Sequence, residues 1–114
     1  MSGMETLHFD FAGGRAAGVF APVLVGVVAS GNLEILVETD AANADGCRVA
    51  IDTSARGFGA VWEAVLRDFH DRHPLAGLVI SINDMGATPA VVSLRLDQAM
   101  SSLLAQRANA GDAR

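Results

Sequence analysis

Ser30 is the side chain whose placement most invites chemistry. It stands in Ser30-Gly31-Asn32, between two apolar runs. A turn tip carried by two apolar strands is an exposed group on a rigid base, and Gly31 leaves space beside the hydroxyl. A turn serine held by its own local hydrogen bonds accounts for the same position without further chemistry. His70 and His73 are three apart and can share a helix surface, but two histidines with no evident third ligand make a poor metal site. A solvated helix end, where histidine suits the dipole, explains them better. Cys47, the single cysteine, lies on an apolar strand face with no histidine beside it, which reads as a buried structural thiol. Asp68, Asp71, Glu34 and Glu38 form no paired acid–base motif. Gly13-Gly14 and Gly57-Phe58-Gly59 match no phosphate-binding fingerprint. Asp84-Met85-Gly86-Ala87-Thr88-Pro89 offers backbone N–H groups to an anion, though a plain helix start explains it equally.

The elements that must position these residues follow from periodicity. Leu7, Phe9 and Phe11 alternate with His8 and Asp10, a half-buried strand over 5–11. Pro22 to Ala29 is a continuous Val-rich run, which predicts a strand buried on both faces. Leu33 to Thr39 alternates again, so the two runs form a hairpin across Ser30-Gly31-Asn32. Asp40 to Gly46 is small and polar, a loop or a longer hairpin turn. In Cys47 to Thr53, Cys47, Val49 and Ile51 share one strand face. Val61, Trp62, Val65, Leu66 and Phe69 fall at helical spacing, with Ser54 and Gly57 bracketing the start and His73-Pro74 the end. Leu75 to Asn83 contains a further strand. Thr88 and Pro89 then begin a helix with the stripe Val92, Leu96, Ala99, Met100 and Leu103. A strand over 91–96 competes, because VSLRL also alternates. This order predicts an α+β two-layer sandwich: a mainly antiparallel sheet of about 4–5 strands with two helices on one face.

Composition bounds the function. The 114 residues make one domain, expected over 4–107 with flexible termini at 1–3 and 108–114. Hydrophobic residues are 51% and charged ones 18%, so a packed core is expected rather than disorder. The net charge is −5, and every basic residue is Arg. The absence of Lys excludes a Schiff-base or P-loop lysine and, with it, a polybasic patch for nucleic acid or membrane. The single Cys excludes an intramolecular disulfide and a multi-cysteine metal site. The longest apolar run, residues 16–29, is shorter than the roughly 20 residues of a membrane helix and lacks the basic start of a signal peptide. A cytoplasmic location is therefore expected.

Spacing alone yields no function, but resemblance does. The segment Val27-Val28-Ala29-Ser30-Gly31-Asn32-Leu33-Glu34-Ile35-Leu36 resembles the modification-site segment of the malonate decarboxylase acyl carrier (delta) subunit family. So do Met4-Glu5-Thr6-Leu7, Asp84-Met85-Gly86-Ala87-Thr88-Pro89, Val92, Leu94-Arg95-Leu96 and Gln98-Ala99. The resemblance spans about residues 4–105, and the family is distantly related to the citrate lyase carrier subunit. Ala29 and Asn32 depart from the Gly and Asp common there, each keeping a small or turn-compatible residue.

The resemblance implies a non-catalytic carrier whose serine, here Ser30, bears a covalently attached 2′-(5″-phosphoribosyl)-3′-dephospho-CoA arm. That arm's thiol holds acetyl or malonyl. The implied partners are an acetyl-carrier:malonate transferase subunit, a two-chain decarboxylase, a prosthetic-group attachment enzyme and a malonyl transacylase. Gly31 would serve the turn, and Arg15 and Arg95 are candidate phosphate contacts, since guanidinium binds phosphate with a bidentate fork. Two other readings stand beside this one. A non-enzymatic small-molecule-sensing α+β module fits the element order, and a small enzyme could use His70 or His73.

Overall fold

The computed structural model describes residues 4–26 and 32–112, with side chains to residue 106. Five strands form the main sheet: β1 (Glu5–Ala12), β3 (Val23–Val25), β4 (Leu33–Thr39), β5 (Gly46–Thr53) and β7 (Leu78–Asp84). Their order is β1-β5-β7-β4-β3. Three of the four pairings are antiparallel, and β5–β7 is parallel because helix α1 (Gly59–Arg72) carries the chain back between them. A two-residue parallel pair, β2 (Arg15–Ala16) with β6 (Leu75–Ala76), closes one end. A single 3-10 turn, Ala41–Asn43, lies in the polar loop.

The strand alternation sorts the faces as expected. Leu33, Ile35, Val37, Cys47, Val49, Ile51, Leu78, Ile80 and Ile82 are buried, with Leu7, Phe9 and Phe11 packed at the margin. Both helices cover that face: α1 through Trp62, Leu66 and Phe69, and α2 (Pro89–Asp112) through Val92, Leu96, Ala99, Met100 and Leu103. The opposite face is open, and across it run the rows Leu24–Leu36–Ser81–Ala50–His8 and Glu34–Asn83–Asp52–Thr6.

Several expectations are corrected or decided here. The Val-rich run is not a strand buried on both faces. Its described part, β3, is the sheet edge, with Val23 buried and Leu24 61% exposed. Residues 91–96 are helix, because Val92 and Leu96 share the buried stripe while Leu94 is exposed. Thr88 Oγ1 accepts from the Val91 N–H at 3.3 Å, as a capping threonine should. Finally, α1 begins at Gly59 without a side-chain cap on Phe58, and the Gly57 N–H instead donates to Glu5 at 3.0 Å. The backbone of α2 continues to Asp112, past the polar tail expected from Ala108.

Candidate functional site

The β3–β4 register pairs Val23 with Val37, Leu24 with Leu36 and Val25 with Ile35. Each pair is equidistant in sequence from residue 30, so the connection is centred on that position. Ser30 and Gly31 themselves lie outside the described residues.

The feet of this connection are firmly held. Gly26 has φ +82°, and a Cβ there would collide with the Leu33 carbonyl oxygen, so only glycine fits. Asn32 takes a left-handed φ of 58°, a conformation asparagine tolerates better than most residues. Its carbonyl accepts from the Met85 N–H at 2.9 Å, which ties the connection to the turn between β7 and α2.

That turn is organised by Asp84, which is 1% exposed. Its carboxylate accepts from the Thr53 hydroxyl at 2.8 Å and from the Ala87 N–H at 2.9 Å. Thr53 is itself fully buried and accepts from the Ala55 N–H at 3.0 Å. The Ser54 N–H donates to the Asp84 carbonyl at 3.0 Å. The ends of β5 and β7 are thus joined by a buried polar network, as burial of such groups requires.

A cleft of about 290 Å³ opens beside this network, between the first turns of α1 and the start of α2. Phe58, Val61, Trp62, Val65, Pro89 and Val92 line it, with Asp84 at its edge. The sequence reading missed both Asp84's burial and the cleft. The Thr53–Asp84 bond joins residues 31 apart, and no local pattern announces it.

Arg95 lies in α2 within two turns of Pro89, donating to Gln98 at 3.0 Å while its Nε finds no partner among the described residues. Arg15 stands elsewhere. It pairs with Leu75 next to the beginning of β7, whereas Asn32 sits beside β7's end. The seven residues of β7 put roughly 20 Å between the two ends. Arg15 thus stands at the opposite end of β7 from Asn32.

His73 is also at that far end, with Nε2 3.1 Å from Asp97 in a cluster that includes Arg72 and Asp68. Desolvation pushes the Asp97 carboxyl up, but the hydrogen bonds and positive charge of Arg72 and His73 outweigh it and hold it below the usual carboxylate range. His70 instead stacks on Phe11 at 5.5 Å. The two histidines thus face different neighbours, and no group of three metal-ligating side chains occurs among the described residues. Cys47 is 1% exposed, and burial, aided by the charge of Asp10, pushes its thiol up to about 12. A thiol so protonated is no nucleophile at neutral pH. Among the described residues no helix is long and apolar enough to cross a membrane.

Comparison with known proteins gives this geometry a family. Residues 21–103 match the family model described as the acyl carrier protein malonate decarboxylase delta subunit (MdcD). The chain is 72% identical to the malonate decarboxylase acyl carrier protein of Burkholderia cepacia over 98 residues, 86% of this chain and 89% of that one. It is 53% identical to the protein of that name from Acinetobacter calcoaceticus, over 86% of this chain and 95% of that one. Among solved structures, a chain of a Pseudomonas malonate decarboxylase hetero-tetramer in complex with malonate superposes with a TM-score of 0.74. That match has 38% identity and covers 87% of this chain and 98% of that one. These matches support the carrier reading over the sensing-module alternative. The chain belongs to the malonate decarboxylase delta-subunit family, the acyl carrier proteins of that enzyme.

Proposed function

We propose that Ser30 is the attachment point of 2′-(5″-phosphoribosyl)-3′-dephospho-CoA, joined through a phosphodiester, and that the chain itself catalyses no step. When bound, the group supplies a thiol that holds acetyl or malonyl as a thioester. The observation that carries this reading is a serine at the centre of the β3–β4 connection, inside the window matched by the carrier family.

The chain's own residues then have a mechanical role. The Gly26–Leu33 approach and the Met85–Asn32 hydrogen bond hold the two described ends of the connection that would carry the arm. A tether holds its end at an effective concentration in roughly the mM range around the carrier, so each partner site meets it without free diffusion. Arg95, in the first half of α2, is the better-placed phosphate contact of the two. Arg15 is within reach only of the distal part of an extended arm. Docking partners would include transferase, two-chain decarboxylase, attachment enzyme and malonyl transacylase subunits. With a net charge of −5 on this chain, and Glu34 and Asp52 on the open face near the attachment end, basic partner surfaces are favoured.

Co-expression with the attachment enzymes followed by intact-mass measurement tests the assignment. The wild-type chain gains one adduct of the arm's mass, and Ser30→Ala gains none. An unmodified wild-type chain, with the attachment enzymes shown active on another carrier of the family, sinks it.

A further inference from the structure

The apolar cleft beside Asp84 has no part in holding the feet of the β3–β4 connection, yet it lies at the same end of the molecule. Its wall includes Gly86, the neighbour of Met85, whose N–H holds the Asn32 carbonyl. Ser30 is two residues before Asn32, so the chain allows it no more than about 8 Å from Asn32, Cα to Cα. The cleft's mouth is therefore within a short span of the serine. The apolar surface here is also left uncovered: Phe58 is 51% exposed, Val61 40% and Met85 47%.

We propose that this cleft shelters the thiol-bearing end of the arm when it carries acetyl, and rejects that end when it carries malonyl. The inference rests on Ser30 as the attachment point. Size supports it: at about 290 Å³ the cleft is at the lower limit of small-molecule sites, room for an acetyl thioester and adjoining methylenes but not for a nucleotide. Reach supports it, because a ribose, a nucleotide and a pantetheine separate the serine from the thiol, ample to span that distance.

Chemistry supplies the discrimination. Acetyl is uncharged and suits walls of Phe58, Val61, Trp62, Val65, Pro89 and Val92. Malonyl ends in a carboxylate, and an unpaired buried charge is strongly disfavoured. No side chain lining the cleft is basic, and its one charged side chain, Asp84, is itself an acid. The Ala87 N–H is already donated to Asp84, and the Val91 N–H to Thr88. Exchange of acetyl for malonate would then release the loaded end from this chain toward the decarboxylase.

Two readouts independent of turnover test the idea on the full-length holo-carrier. The first is cleavage of the carrier's thioester by hydroxylamine, each rate divided by that of the same acyl group on free dephospho-CoA. If acetyl is housed about nine-tenths of the time, its normalised rate falls about tenfold while malonyl's stays near one. Ala55 also lines the cleft, and Ala55→Phe, which fills it, returns the acetyl rate to near one. The second is emission of Trp62, the only tryptophan in the chain and a wall of the cleft, which shifts between the acetyl and malonyl forms. Should Ala55→Phe fail to fold, the wild-type rates and Trp62 emission decide alone. Equal normalised rates with unchanged emission overturn the cleft's role while leaving the attachment intact. Absence of any adduct on Ser30 overturns both readings.

Discussion

At the end of the sheet where β5 and β7 finish, Thr53 and Asp84 are buried and satisfied by one another and by backbone N–H groups. At the end where they begin, the polar side chains form an exposed ion cluster of Asp68, Arg72, His73 and Asp97. There the structural work falls to backbone contacts: Arg15 and Ala17 N–H groups donate to Pro74 and Ala76 carbonyls, each at 2.8 Å, and Gly77 to Gly46 at 2.8 Å. The difference suits the attachment point proposed at Ser30. An end that carries a group to several partners needs its turns fixed from inside, leaving the surface free. The far end has no such demand, and close backbone packing with solvated charges suffices. Effects of substitution should therefore differ sharply between the two ends.

Asp84→Ala is expected to give the largest loss. It leaves the Thr53 hydroxyl and the Ala87 N–H without their partner, and an orphaned buried group costs roughly 1–3 kcal/mol. A destabilisation of about 4 kcal/mol in urea unfolding follows, whereas Asp84→Asn, which can still accept from Ala87, should lose less than half of that. Equal losses for the two would mean that the network's geometry is not what holds this end. Hydrogen exchange should also quicken at Met85 and Ala87 before the centre of the sheet, because the opening is local.

Gly14→Ala probes the far end by its backbone. Gly14 has φ +113°, and a Cβ there would stand 2.6 Å from the Pro74 carbonyl oxygen. The new methyl is strained in its dihedral angle and collides with backbone that itself accepts the Arg15 N–H. A loss of about 2 kcal/mol is expected from such strain. Gly13 is the internal control, since its φ is +86° but nothing lies within 4 Å of its Cβ position. Gly13→Ala should cost about 1 kcal/mol, the left-handed penalty alone. If Gly14→Ala is no worse than Gly13→Ala, the close approach to Pro74 does not matter and the two ends differ less than described.

Much of this arrangement was legible because strand alternation reports burial directly. Leu33, Ile35 and Val37, like Cys47, Val49 and Ile51, face the core as their two-residue period requires. The Thr88-Pro89 start and the Val92–Leu103 stripe located α2. The run from Pro22 misled because uninterrupted apolar residues fit a doubly buried strand and an edge strand alike; only the sheet order, set by pairings distant in sequence, exposes Leu24. Asp84 read as part of a helix start because its partner Thr53 is brought close only by the parallel β5–β7 pairing. Arg15 stood at a loop start, but nothing local told which end of the sheet that loop served. Ser30 drew interest by position and meaning only by resemblance, since a hydroxyl in a turn looks the same whether or not it is modified.

The smallest expected effect lies in the exposed cluster. Asp97→Asn removes the charge that faces Arg72 and His73, but Asp97's side chain is 42% exposed and Arg72's 38%. Water and salt screen such pairs, so about 0.5 kcal/mol is expected at neutral pH and low ionic strength, and less at high salt. The direction with pH follows from the depressed carboxyl of Asp97. A group whose folded-state pKa is lowered stabilises above its unfolded value, and that stabilisation fades as pH falls through the folded one. Wild type and Asp97→Asn should therefore differ at neutral pH and converge in acid, below the ordinary carboxylate range. A gap that persists there, or that approaches the loss caused by Asp84→Ala, would mean the cluster acts as a packed core element. The two ends would then be held by the same kind of interaction after all.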